Sequence, residues 1–295
     1  MSDASTPDAG PAGDGDGELL LLGLGLGLER LWLEQPGVRL GDPALEDAEL
    51  SELTDELRGA LDDARRVIVI QPDWFGDEAW RRLQTVHSLL DTDRVMLHRT
   101  ALPPLAASVA AALTAAAGAH LQRPGAVAAA LPQIERELIV LAWLGRVNGL
   151  RRPAPSVGQH AKSALPSSAF MAVLQPDERV HTLGGPGSEL PLARVPEPME
   201  LLMAPWPDGD VDWVVEVANP ALGGLRLREI DALPDAPGWW GTDRLVELAA
   251  YPTDVASLAR RVAPASLSAC RWCREPIAAS PCPFCGERAA GATVS

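Results

Sequence analysis

The chemistry most plainly written in this sequence belongs to its four cysteines, which all fall within "SACRWCREPIAASPCPFCGER", positions 268–288. Cys270 and Cys273 form one C-x-x-C pair, and Cys282 and Cys285 form another. The short spacing inside each pair lets both sulfurs reach one ion, and the stretch between the pairs is long enough for a tight hairpin that brings them together. Four thiolates in a tetrahedron suit Zn²⁺, and a set without an open coordination place points to a structural rather than a catalytic metal. An iron site or a redox dithiol is the alternative chemistry for such a cluster. The predicted ligands are therefore Cys270, Cys273, Cys282 and Cys285, holding a structural Zn²⁺ that supplies on the order of 10 kcal/mol to fold a module with almost no core of its own.

No second constellation of this quality exists. Five histidines, at 87, 98, 120, 160 and 181, are scattered along the chain. His160, in "SVGQHAK" beside Ser156 and Lys162, is the best lone candidate, yet no acid or thiol near it completes a site. His87 sits on the apolar stripe of a predicted helix and reads as a core residue. Asp73 follows a predicted strand, where α/β proteins often place functional groups, but an aspartate there equally serves as a helix cap. G-x-S-x-G, a P-loop and H-E-x-x-H are all absent, so no catalytic residue and no organic cofactor is assigned. The glycines at 23, 25 and 27 have the wrong spacing for a dinucleotide fingerprint and read as part of a buried strand.

The half "CPFCG" resembles a zinc-ribbon knuckle, with Gly286 free to take the left-handed turn that such knuckles use. The half "CRWCRE" departs from that pattern by carrying Arg274 at the same place. The resemblance to short C-terminal zinc ribbons covers residues 268–288 and nothing upstream. It implies a small appended module, with Trp272 expected to pack back onto the protein and cover the metal.

The elements that carry these residues form a mixed α/β fold. "ELLLLG", "RVIVI" (66–70) and "RVMLH" (94–98) read as buried strands, with "GDEAWRRLQTVHSLL" as a helix between the last two, a βαβ-like arrangement. Asp42-Pro43 has the chemistry of a helix start leading to Leu50, Leu53 and Leu57 at helical spacing. "PPLAASVAAALTAAAGA" and "LPQIERELIVLAWLGRVNGL" both read as helices, the second apolar nearly all round. In the second half, hairpins are expected for "AFMAVLQ" with "RVHTL" and for "MELLMAPW" with "VDWVVEVAN". "DRLVELAAYP" is a last strand and "TDVASLARRVA" a last helix. Trp239-Trp240, in "DAPGWWGTD", is read as an aromatic plug in a loop.

The predicted organisation is a disordered leader over 1–17, an α/β part over 18–150, a part with antiparallel hairpins over 151–265 that could share its domain, a ribbon over 266–290, and a tail over 291–295. Net charge is −15, with a single lysine at Lys162. That balance opposes nucleic-acid binding and polybasic attachment to a membrane. The Ala-, Pro- and Arg-rich usage is that of a GC-rich genome of the actinobacterial kind. The acidic start lacks the flanks of a signal peptide, and clustered cysteines suit a reducing compartment, so a cytoplasmic protein is expected. The leading functional reading from sequence alone is a non-enzymatic interaction or assembly protein whose ribbon serves a protein partner or self-association. A small-molecule enzyme with a hidden site, tested first at Asp73 and His160, and a ribbon-based nucleic-acid-associated regulator are the rivals.

Overall fold

The computed structural model describes residues 19–28, 39–41, 49–165, 168–184, 190, 192, 195 and 198–288. The leader, the tail and the Asp42-Pro43 helix start lie outside them.

Two sheets organise the chain. The first contains β1 (Leu19–Gly23), β2 (Arg39–Gly41), β3 (Arg66–Pro72) and β4 (Val95–Thr100) in the order β2-β1-β3-β4, all parallel. β3 is buried along its whole length, as its run of β-branched residues requires. Helices α1 (Leu50–Asp63) and α2 (Gly76–Leu90) present leucine and valine stripes to one face of this sheet. Parallel neighbours need crossover connections, and α2 supplies the one between β3 and β4.

The other face is covered by α3 (Pro104–Leu121), an alanine-rich helix whose length and hydropathy match a membrane span. Its apolar character belongs to the core, because 78% of the helix is buried within the protein. Small side chains let α3 lie close to both α4 (Pro124–Arg136) and the second sheet.

The second sheet is mixed, in the order β7-β6-β5-β10-β8-β9. Its strands are β5 (Ile139–Leu144), β6 (Phe170–Gln175), β7 (Arg179–Thr182), β8 (Met199–Pro205), β9 (Arg226–Glu229) and β10 (Leu245–Pro252). β10 runs through its centre between β5 and β8, antiparallel to both. The β6–β7 hairpin is as expected. α5 (Val157–Ser163) lies in the connection from β5 to β6.

Three expectations are corrected. "LPQIERELIVLAWLGRVNGL" is not one helix: α4 ends at Arg136 and Ile139–Leu144 is strand β5. "VDWVVEVAN" is not a strand but a helical segment, α6 (Val211–Trp213) running through a π turn (Val214–Ala218) into α7 (Asn219–Leu222). Asp210 caps its start by accepting from Trp213 N–H at 2.9 Å. Trp239-Trp240 closes a short helix, α8 (Ala236–Trp240), rather than a loop, with Trp240 fully buried. The final helix, α9 (Val255–Val262), is capped by Asp254 as its sequence indicates.

Candidate functional site

The four cysteines converge. Their sulfurs all lie within 4.8 Å of one another, with Cys270–Cys285 at 3.5 Å and Cys273–Cys282 at 3.7 Å. Zn–S bonds of about 2.3 Å arranged tetrahedrally give S–S edges of about 3.8 Å, so the spacing fits a metal held by four thiolates. The two knuckles are built alike. Cys270 N–H donates to Glu275 C=O at 2.8 Å and Arg274 N–H to Cys270 C=O at 3.1 Å; Cys282 N–H donates to Glu287 C=O at 2.9 Å and Gly286 N–H to Cys282 C=O at 3.0 Å. Arg274 adopts φ +63°, beside +73° for Gly286, so the first knuckle closes in the glycine geometry although it carries a side chain.

This module is not an appendage. β11 (Ser268–Ala269) and β12 (Pro276–Ile277) form its hairpin, and Cys270, Ile277, Cys282 and Phe284 belong to the main hydrophobic core. Glu275 is buried against the body: Arg66, the first residue of β3, donates Nε–H to its Oε2 at 3.1 Å, and Gly125 N–H at the start of α4 donates to its Oε1 at 3.2 Å. The Arg66 guanidinium also lies 5.1 Å from the centre of the Phe284 ring, a cation–π contact. A Cβ on Gly125 would stand 1.9 Å from the Pro276 carbonyl oxygen, so only glycine allows α4 to approach β12 this closely. Trp272, expected to pack back and cover the metal, is instead 74% exposed, whereas Phe284 is buried in the core.

A second site lies at the C-terminal ends of β3 and β4, where they face α8. A cavity of about 470 Å³ opens there. Asp73 and Trp74 line it from the turn after β3, Arg151 and Arg152 from the segment after β5, and Pro234 and Trp239 from α8 and its approach. The Trp74 indole Nε1 is buried without a hydrogen-bond partner. Arg152 pairs with Glu178, whereas no ion pair reaches Arg151 among the described residues. Burial raises the Asp73 carboxyl above its ordinary range, against the lowering influence of Arg99 and Arg152.

Behind this cavity, Trp239 packs edge-on against Trp240 with ring centres 4.5 Å apart, and Trp240 Nε1–H donates to Glu247 at 2.8 Å. Glu247 stands on β10 in the middle of the sheet, and burial pushes its pKa up to about 7. Sequence reading passed over this residue, and its only signal was a lone acid in the apolar run "RLVELAAYP".

Of the candidates chosen from sequence, Asp73 reaches the cavity and His160 does not. His160 is exposed on α5, and Ser156 is that helix's N-cap, accepting from Gln159 N–H. His87 is packed against the protein with its Nε2 buried and unpartnered.

No protein-family model matches the sequence, and no curated protein does. The fold, by contrast, is shared with solved structures. A DegV family protein of Corynebacterium glutamicum superimposes with a TM-score of 0.51 at 14% identity, covering 82% of this chain and 99% of its own. The Streptococcus pneumoniae fatty acid kinase B3 protein, loaded with linoleic acid, gives 0.52 at 10% identity, covering 80% and 100%. A fatty-acid-binding DegV family protein of Thermus thermophilus gives 0.51 at 14% identity, covering 80% and 99%. These likenesses establish an α/β fold of the DegV kind. They overturn the reading of the chain as an interaction or assembly protein organised around a ribbon. Of these solved structures, the Streptococcus pneumoniae protein is loaded with linoleic acid and the Thermus thermophilus protein binds fatty acid; in this chain the cysteine module packs into the main hydrophobic core.

Proposed function

We propose that this protein binds a long-chain fatty acid or a similar amphiphilic carboxylate in the cavity between β3, β4 and α8. The observation that carries the reading is the combination, at one opening, of Arg151, which no ion pair reaches among the described residues, with an apolar wall of Trp74, Pro234 and Trp239; the buried Trp74 Nε1–H beneath that wall lacks a partner among the described residues. A guanidinium and an indole N–H supply donors for a carboxylate, and aromatic walls take the first methylenes of the chain, each worth about 0.8 kcal/mol when buried. The volume falls in the range of sites that enclose small ligands. The fold shared with fatty-acid-loaded proteins supports the same reading by analogy.

The cysteine cluster holds a structural Zn²⁺ in this proposal, and clustered thiols that bind metal rather than pair as disulfides favour a cytoplasmic location. A protein partner that receives the acyl chain belongs to the same proposal.

Organic extraction of the purified protein followed by mass spectrometry tests the proposal. Co-purifying acyl chains, and saturable binding of a fluorescent fatty acid to stripped protein, are expected. Arg151→Glu should weaken that binding by roughly tenfold or more, and Trp74→Phe, which keeps the ring but removes the N–H, by less. No extracted acyl chain together with no saturable binding overturns the reading.

A further inference from the structure

The first sheet has an open edge. Among the described residues β4 is its last strand and pairs only with β3. Val67 N–H donates to Arg94 C=O at 2.9 Å, in a parallel register that sets Val67 opposite Val95. In a parallel ladder, alternate residues of a strand turn both backbone groups toward the same neighbour. Arg94, Met96, His98 and Thr100 therefore bond to β3, and Val95, Leu97 and Arg99 aim their N–H and C=O groups outward. Among the described residues no hydrogen bond reaches those outward groups.

Proteins ordinarily blunt such an edge or cover it. Here it is the floor of a groove of about 780 Å³, and the β4 residues lining that groove, Val95 and Leu97, are two of the outward-facing ones. Trp80, Gln84 and His87 of α2 form one wall; Trp272, Pro283 and Phe284 of the cysteine module form the other. The two tryptophans bracket the edge, and Trp272 is the most exposed large aromatic side chain of the described residues. His87 Nε2 is the orphaned polar atom of the α2 wall. The charged side chains of the lining, Asp91 and Asp93, are acidic and stand at the N-terminal end of β4.

From this geometry we propose that the groove binds an extended, basic segment of a partner protein, which adds to β4 as a fifth strand of the sheet. Outward N–H and C=O groups supply main-chain bonds, and the aromatic walls take alternate side chains. Asp91, which no ion pair reaches among the described residues, selects lysine or arginine at one end of the segment, whereas the Asp93 carboxylate already stands 3.6 Å from Arg66. The groove is lined by different residues from the fatty-acid cavity, so the proposal stands or falls independently of that reading.

A fluorescein-labelled hexapeptide of alternating arginine and valine, titrated into the full-length metal-loaded protein, tests this. Saturable binding is expected, together with weaker binding, by roughly tenfold or more, of the same peptide with glutamate in place of arginine. Amide exchange followed by NMR should show Val95, Leu97 and Arg99 exchanging fast in the free protein and slowing with the peptide, whereas Met96 and His98 exchange slowly in both. Leu97→Pro removes an outward donor at an edge position where proline is tolerated, and should abolish binding with the fold intact. If that variant misfolds, Asp91→Lys serves instead and should weaken the arginine peptide while strengthening the glutamate one. Absence of saturable binding, equal affinity for both peptides, or protection that falls outside β4 overturns the proposal.

Discussion

Glu247 shows what a single side chain can carry that its neighbours in sequence do not announce. Alternation along "RLVELAAYP" would put it on a wet face. In the structure, α8 and the start of α3 close over that face, because Trp240 and the Leu105 N–H reach its Oε1 at 2.8 and 3.5 Å. The other oxygen has no partner, and the carboxyl is pushed from 4.5 to about 7 by desolvation, the largest influence upon it. A carboxyl whose folded pKa lies above its unfolded one stabilises the protein fully below pH 4.5 and loses that contribution as pH rises through about 7. The shift corresponds to about 3 kcal/mol. Glu247→Gln keeps an acceptor for Trp240 and cannot ionise. The melting temperature of the parent protein should therefore fall more steeply than that of Glu247→Gln across this pH window. Parallel curves in thermal melts would refute the assignment. The cysteine ligands were legible because their chemistry is local. Glu247 and Arg151 were not, since each acquires its setting from helices and loops distant in sequence.

Among the elements, those with a strong local pattern were legible and those decided by tertiary contact were not. "RVIVI" could be little else than a buried strand. "LIVLAWL" is an apolar run too short for its periodicity to separate helix from strand, and pairing of Ile139–Leu144 with β6 and β10 decided it. "VDWVVEVAN" has strand-forming valines, yet the Asp210 cap and the need to cover Leu201, Met203 and Leu248 made it helical. The least visible junction is the one between Arg66 and Glu275, more than two hundred residues apart. Both are buried, and Glu275 also accepts the Gly125 N–H. Removal of Glu275 leaves the buried Arg66 with one part-exposed carboxylate, Asp93 at 3.6 Å, so Glu275→Ala should cost about 3 kcal/mol in urea unfolding at fixed metal content. The double replacement Arg66→Met with Glu275→Met should cost clearly less. A double loss equal to the sum of the Arg66→Met and Glu275→Met losses would show that the two charges do not interact.

For the whole molecule, the sequence suggested a body with a detachable metal clip, and the packing describes one cooperative unit. Cys270, Cys282 and Phe284 share a hydrophobic cluster with β1, β3, α3 and β10. Glu275 ties the module to the first residue of β3 and to the start of α4. Four thiolates brought within 4.8 Å without a cation would repel one another as they ionise, so the folded cluster depends on the metal that it is proposed to hold. Because metal binds the folded state and contributes on the order of 10 kcal/mol, its removal draws stability from every element that melts together with the module. Chelation of the purified protein should therefore lower the temperature of a single unfolding transition and leave it single. Deletion of residues 266–295 should strip the cover from α4 and the N-terminal end of β3, and destabilise the body even where metal plays no further part. Calorimetry distinguishes this from independent modules. A separate low-temperature transition on chelation, or a truncated body that melts as the full chain does, would show that the ribbon folds apart from the protein it is packed into.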